Sequence, residues 1–179
     1  MITSILEYLE NSASSYPDKT AFADLDSACT FEELHLRARR VGTALAKHFA
    51  PRNPVPVFME KSVDTIGVFM GAVYAGCFYV LLDTKQPAAR IQQILDILDS
   101  DVMVTSGKYQ KDLEKLEFQG TILLTEELEE TEEDSFVLDH IRNQALDTDP
   151  LYGIFTSGST GVPKGVVVGH RSVIDFIDC

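Results

Sequence analysis

The stretch VPVFMEKSVDTIGVFMGAVYAGCFYVLLD, residues 55–83, decides the fold of this chain. It opens and closes on short apolar runs, VPVFM and FYVLL. Between them Ser62 can cap a helix running from Val63 to Ala75, and Gly76 can end it. Apolar strand, helix, apolar strand is the repeating unit of a parallel sheet covered on both faces. The same stretch calls for a membrane test, because Thr65 to Leu82 carries no charge and holds Gly67 and Gly71 in GxxxG spacing. The serine cap, the glycine stop and the aromatic, β-branched second strand favour the soluble reading, so no membrane is expected.

Toward the N-terminus, Ser4 and Glu7 form a capping box for a first helix with Leu6, Leu9 and Ala13 on one face, ended by Tyr16-Pro17. TAFAD, residues 20–24, reads as a short strand. Thr30 and Glu33 form a second capping box, and Leu34, Ala38, Val41, Leu45 and Phe49 recur behind it at helical spacing. Toward the C-terminus the alternation continues: a helix carrying Ile91, Ile94, Leu95 and Leu98, the strand VMVT, a helix over 108–116, and the strand TILL at 121–124. The expected class is α/β, a doubly wound, mainly parallel sheet flanked by helices.

Three parts are expected within one domain: a wound part over 1–125, an acidic connection over 126–150 and a last part over 151–179. The connection contains EELEETEED, residues 126–134, which reads as solvated. The last part holds a strand LYGIF, a glycine-rich loop, a strand GVVVGH and a helix beginning near Ser172.

Composition narrows the function. The 179 residues carry 15 Lys plus Arg against 28 Asp plus Glu, a formal net charge of −13, and no basic patch with interleaved aromatics. A nucleic-acid partner is therefore not expected. Cys29, Cys77 and Cys179 lie far apart without metal-type spacing, which suits a reducing, cytoplasmic setting. The histidines His35, His48, His140 and His170 are isolated, so no metal site is expected among these residues.

The chemistry concentrates in TSGSTGVPKG, residues 156–165. Its glycines let backbone N–H groups converge on an anion, the hydroxyls of Thr156, Ser157, Ser159 and Thr160 add donors, and Lys164 supplies a positive charge next to Pro163, which fixes the backbone. This is a loop suited to phosphate. It is not the P-loop of kinases and GTPases, since Pro163 stands where the second glycine is needed and Gly165, not a hydroxyl residue, follows Lys164. Nor is it a serine-hydrolase elbow, because Ser157 rather than glycine stands two residues before Ser159.

TSGSTGVPKG resembles the signature loop of the adenylate-forming superfamily, which includes acyl-CoA synthetases, luciferases and the adenylation domains of nonribosomal peptide synthetases. CTFEEL (29–34) resembles the first core motif of amino-acid adenylation domains, and VYAGCFYVLLD (73–83), continued by QPAARIQQIL (86–95), resembles the second. In that second motif Leu81 stands where the family usually has proline. The upstream motifs also read as structure alone: Thr30 and Glu33 cap a helix, Gly76 ends one and Asp83 closes a strand.

The resemblance implies the N-terminal part of an ATP-dependent ligase, of the peptide-synthetase or D-alanine carrier-protein ligase kind, with acyl-CoA synthetases as cousins. In that family a carboxylate attacks the α-phosphate of ATP with Mg2+, pyrophosphate leaves, and the acyl-adenylate passes to coenzyme A or to a carrier-protein phosphopantetheine arm. Carried onto this sequence, Thr156, Ser157, Gly158, Ser159, Thr160, Gly161 and Gly165 wrap the departing phosphates and Lys164 neutralises them. His170 lies near enough in sequence to join these candidates, although a helix-capping role is the simpler reading. Family members continue well past this loop into the carboxylate pocket, the magnesium-associated acid and a C-terminal domain. This chain alone is therefore expected to lack catalytic residues and to be inactive. The alternative is a catalytically incompetent nucleotide-binding or interaction module, with self-association through uncovered apolar surface.

Overall fold

The computed structural model describes residues 2–157 and 162–179, excepting the side chain of Ser157. Helix α1 spans Leu6–Ser15. Strands β1 (Thr20–Ala23) and β2 (Ala28–Thr30) form a small antiparallel sheet of their own. Helix α2 (Phe31–Leu45) starts on the expected capping box: Thr30 Oγ1 accepts from the Glu33 backbone, and Glu33 Oε2 accepts from the Thr30 backbone. Leu34, Ala38, Val41, Leu45 and, just past the helix, Phe49 are all buried.

Strand β3 (Pro54–Phe58), helix α3 (Val63–Tyr74) and strand β4 (Phe78–Leu81) form the expected parallel unit. Ser62 Oγ accepts from the Thr65 backbone at the start of α3, and Gly76, with φ +71°, turns the chain out of it. The GxxxG pair serves helix packing inside the protein: Gly71 lies against Val41 and Gly67 against the stem of Arg37, so α3 approaches α2 closely. No helix among the described residues is long and apolar enough to cross a membrane.

Helix α4 (Ala88–Leu98) leads to β5 (Val102–Thr105). The helix expected over 108–116 is shorter than its sequence pattern: one turn of 3-10 helix at Gly107–Tyr109 passes into α5, Gln110–Leu113. Beyond it, turn bonds from the Lys115 and Leu116 amides to the Asp112 and Leu113 carbonyls tighten the chain away from α-geometry. Strand β6 (Thr121–Leu124) follows.

The acidic stretch leaves Glu126, Glu127, Glu130, Glu132 and Asp134 exposed, and it also folds and docks. It forms α6 (Thr125–Glu129) and leads into α7 (Ser135–Arg142), with Leu128 and Leu138 buried. Two of its acids dock on α2: Glu129 pairs with Arg37 at 3.4 Å and Glu133 with Arg39 at 2.7 Å. The chain then re-enters the same sheet through β7 (Pro150–Ser157), turns back through β8 (Pro163–Gly169) and ends in α8 (His170–Ile177).

The large sheet has the order β6-β5-β3-β4-β7-β8, parallel except for the antiparallel β7–β8 hairpin at one edge. The chain steps from β3 to β4 on one side and then returns past β3 to β5, so right-handed crossovers put α3 and α4 on opposite faces. Phe69 of α3 stacks on Tyr79 of β4 with ring centroids 4.0 Å apart, covering one face. Ile91, Ile94 and Leu95 of α4 belong to the main core cluster with Val55, Val57 and Val80. The result is a doubly wound α/β sheet.

Candidate functional site

In open α/β sheets ligands bind beyond the carboxyl ends of the strands, where the winding direction reverses. Here that reversal lies between β3 and β5, neighbours in the sheet from which the chain leaves in opposite directions, from β3 toward β4 and from β5 toward β6. Lys85 Nζ and Glu60 Oε2, from the segments following β4 and β3, pair at 2.9 Å at the carboxyl ends of these strands, beside that crevice. Glu60 raises the pKa of the exposed Lys85 ammonium, which keeps it a cation. Strand β7 runs parallel to β4 and one place further along, so its carboxyl end emerges at the same rim.

That end is the hairpin carrying the glycine-rich sequence. Thr156 pairs with Lys164 and Ser157 with Pro163 in the β7–β8 register, which brings both flanks of the loop together at the tip. Thr156, Lys164 and Gly165 are exposed. A Cβ on Gly165 would lie 3.2 Å from the Phe155 ring, so glycine lets β8 pass over that aromatic. The candidates Gly158, Ser159, Thr160 and Gly161 lie outside the described residues.

One residue of the site is missed by sequence reasoning. The register of β7 with β4 ends at Gly153 opposite Val80, yet β7 continues to Ser157. In that overhang the Phe155 carbonyl accepts a hydrogen bond from Arg90 Nη2 of α4 at 3.1 Å, and Gln86 Oε1 accepts from Arg90 Nε at 3.0 Å. Both residues fall in the QPAAR segment, but nothing local in it announces a partner 65 positions away.

His170 does not join the loop. It sits at the far end of β8 from Lys164, six residues or roughly 20 Å along an extended strand. Its side chain does not cap α8 either: Gly169 occupies the cap position, and Nδ1 of the buried imidazole accepts from the amide of Ile5, the residue before α1, at 3.2 Å. Burial, and after it the positive charge of Arg142, holds the imidazole pKa below the ordinary range against the opposing pull of Asp149. A cavity of about 30 Å³ beside it, lined by Ser4, Tyr74, Arg142 and Asp149 among others, belongs to this packing at the opposite end of the sheet. Among the described residues no group of His, Cys, Asp and Glu side chains is arranged to hold a metal ion.

Comparison with known proteins matches nearly the whole of this chain. The AMP-binding enzyme family matches residues 9–179. One of the mycosubtilin synthase polypeptides of Bacillus subtilis is 33% identical over 172 residues, covering 96% of this chain and 6% of that protein. The D-alanine--D-alanyl carrier protein ligase of Lacticaseibacillus casei is 24% identical over 178 residues, 99% of this chain and 34% of that protein. Among solved structures, the nonribosomal peptide synthetase FmoA3 in its AMPPNP-bound form superposes with a TM-score of 0.81 at 26% identity, covering 98% of this chain and 18% of that one. A fatty acyl-adenylate ligase from L. pneumophila shares the fold, with a TM-score of 0.78 at 22% identity over 99% of this chain and 32% of that one. This chain thus spans a small part of the length of the curated relatives it matches, 6% and 34% for the two above. With a family match across nearly all of its residues, and with the loop on the hairpin at the carboxyl rim of a doubly wound sheet, the chain belongs to the AMP-binding enzyme family.

Proposed function

We propose that this chain supplies the phosphate-holding hairpin of an ATP-dependent ligase that activates a carboxylate, foremost that of an amino acid, as an acyl-adenylate for transfer to a thiol. The observation that carries the reading is the position of the flanks of TSGSTGVPKG: Thr156 and Ser157 of β7 pair with Lys164 and Pro163 of β8 at the carboxyl rim of the sheet, the side on which α/β sheets take ligands. The amino-acid preference is supported by the relatives, which include peptide synthases and a D-alanine ligase, and by an FmoA3 structure holding alpha-methyl-L-serine-AMP.

In the proposed reaction a carboxylate oxygen forms a bond to the α-phosphorus of ATP. The bond from that phosphorus to the bridging oxygen breaks, and pyrophosphate departs with the electron pair. The task of this hairpin is electrostatic. In this reading the backbone N–H groups of residues 158–161 and the hydroxyls of Thr156, Ser157, Ser159 and Thr160 are assigned to the departing oxygens, and Lys164 to the neutralising of their charge. With a net charge of −13 the protein as a whole repels ATP, so the local cation has to supply the attraction. Magnesium travels with the nucleotide, and no step here is assigned to it.

The acceptor thiol belongs to a carrier-protein phosphopantetheine arm or to coenzyme A. The free thiols Cys29, Cys77 and Cys179 suit a reducing cytoplasm. The chain alone is not catalytic in this reading. Val166 and Val167 are exposed on the edge strand β8 and Phe176 on α8, which favours self-association of the isolated chain. The test is competition. Inorganic pyrophosphate should displace ATP from the chain, while amino-acid-dependent exchange of labelled pyrophosphate into ATP should be absent. ATP binding that pyrophosphate does not disturb would remove the loop from the leaving-group role, and measurable exchange would overturn the proposed inactivity.

A further inference from the structure

Strand β7 overshoots its parallel neighbour. Its pairing with β4 stops at Gly153, while β8 follows it on the other side as far as Ser157 opposite Pro163. The last four residues of β7 therefore project from the sheet as one half of a two-stranded ribbon, and such ribbons are marginal on their own. A phosphate loop at the end of a loose ribbon would have to be ordered again by each ligand, which weakens binding.

The overhang is tied at one point. Arg90, in the first turn of α4, donates from Nη2 to the Phe155 carbonyl at 3.1 Å, one residue before Thr156. The guanidinium is itself aimed: Nε donates to Gln86 Oε1 at 3.0 Å, and the Arg90 amide is anchored on the Pro87 carbonyl at 2.9 Å. A planar cation with donors in a fixed fork can hold one carbonyl and one amide oxygen at once without losing its orientation. The carbonyl that β4 leaves unpaired is thus taken by a charged donor from the helix that follows β4.

We propose that Arg90 is a positioning residue for the glycine-rich loop, replacing the missing strand neighbour at the root of the overhang and so fixing Thr156 and Lys164 for an anionic ligand. The ligand class rests on the reading of the loop as a polyphosphate site, whereas the anchoring role is independent of it.

Two readouts separate these claims. Amide hydrogen exchange would be followed at Thr156, Lys164 and Gly165 and, as an internal reference, at Val57 and Val80, in the wild-type chain, Arg90→Met and Arg90→Lys. MgATP would be titrated into the same samples. In Arg90→Met the tip amides should exchange about tenfold faster with the reference amides unchanged, as expected for loss of one hydrogen bond to a charged group. The MgATP Kd should rise by a similar factor, and Arg90→Lys should recover part of both. Unchanged exchange at the tip, or equal acceleration throughout the sheet, would overturn the anchoring role. A loosened tip with unchanged MgATP affinity would overturn its service to the ligand. If the wild-type chain binds no MgATP, the polyphosphate reading fails while the exchange pattern still decides the anchor. Should Arg90→Met not fold, Gln86→Leu releases the same guanidinium without touching β7 and gives the same comparison.

Discussion

A Cβ placed on Gly71 would lie 2.4 Å from Cγ1 of Val41 and 3.3 Å from the Ala38 carbonyl oxygen. Helices α2 and α3 therefore meet at a distance that only a hydrogen at this position allows, and Val41, fully buried and β-branched, has little freedom to retreat. We expect Gly71→Ala to cost roughly 1–3 kcal/mol through overpacking. That cost outweighs the gain of about 1 kcal/mol from alanine in a helix interior. Urea unfolding checks this, and combining the change with Val41→Ala should be less damaging than the sum of the two alone. Strict additivity would contradict the contact.

Thr30→Ala should destabilise the chain by about 1 kcal/mol, because the Thr30 side chain satisfies the Glu33 amide at the start of α2. Thr30→Ser should restore most of the loss, since a hydroxyl is all the cap requires. A serine variant as unstable as the alanine one would mean that the threonine methyl, not the cap, matters.

The His170 imidazole gives acid pH a defined effect. The unfolded chain takes up the proton near pH about 6.5. The folded chain does so only at lower pH, because the ring is buried and its Nδ1 is engaged as an acceptor from Ile5. The unfolded state then binds more protons, so stability falls as pH drops below that value and levels off once the folded pKa is passed. His35, held low by burial and by Arg39, contributes a slope of the same sign. In His170→Asn, whose amide oxygen can take over the acceptor role, the loss of stability between about pH 7.5 and pH 5.5 should be shallower than in the wild type. An identical slope would show that His170 does not titrate with unfolding.

Much of this architecture was legible because the residues that set it are close in sequence. Residues 55–83 contain the cap, the glycine stop and both strands of the central unit, and Thr30 with Glu33 writes the start of α2 within four positions. The features that escaped depend on distant partners. Strand β2 has three residues and exists through its pairing with β1. The docking of the acidic stretch depends on Arg37 and Arg39 of α2, which hold Glu129 and Glu133. Burial nonetheless raises the Glu129 pKa, with Arg37 opposing, a conflict that no local pattern reveals. In the site, Thr156 and Lys164 were singled out from the motif, while their pairing across the hairpin comes from the β7–β8 register. Arg90 was not, because its role comes from β7 outrunning β4, and His170 was drawn toward the loop by sequence proximity that an extended strand turns into distance.

The most direct measurement is a calorimetric titration of the 179-residue chain with MgATP, run beside Lys164→Ala. Saturable binding by the wild type that is lost or weakened at least about tenfold in the variant is the predicted result, as removal of a charged phosphate partner requires. Binding of equal strength by both chains would contradict the assignment of Lys164, and with it the reading of this hairpin as the phosphate site.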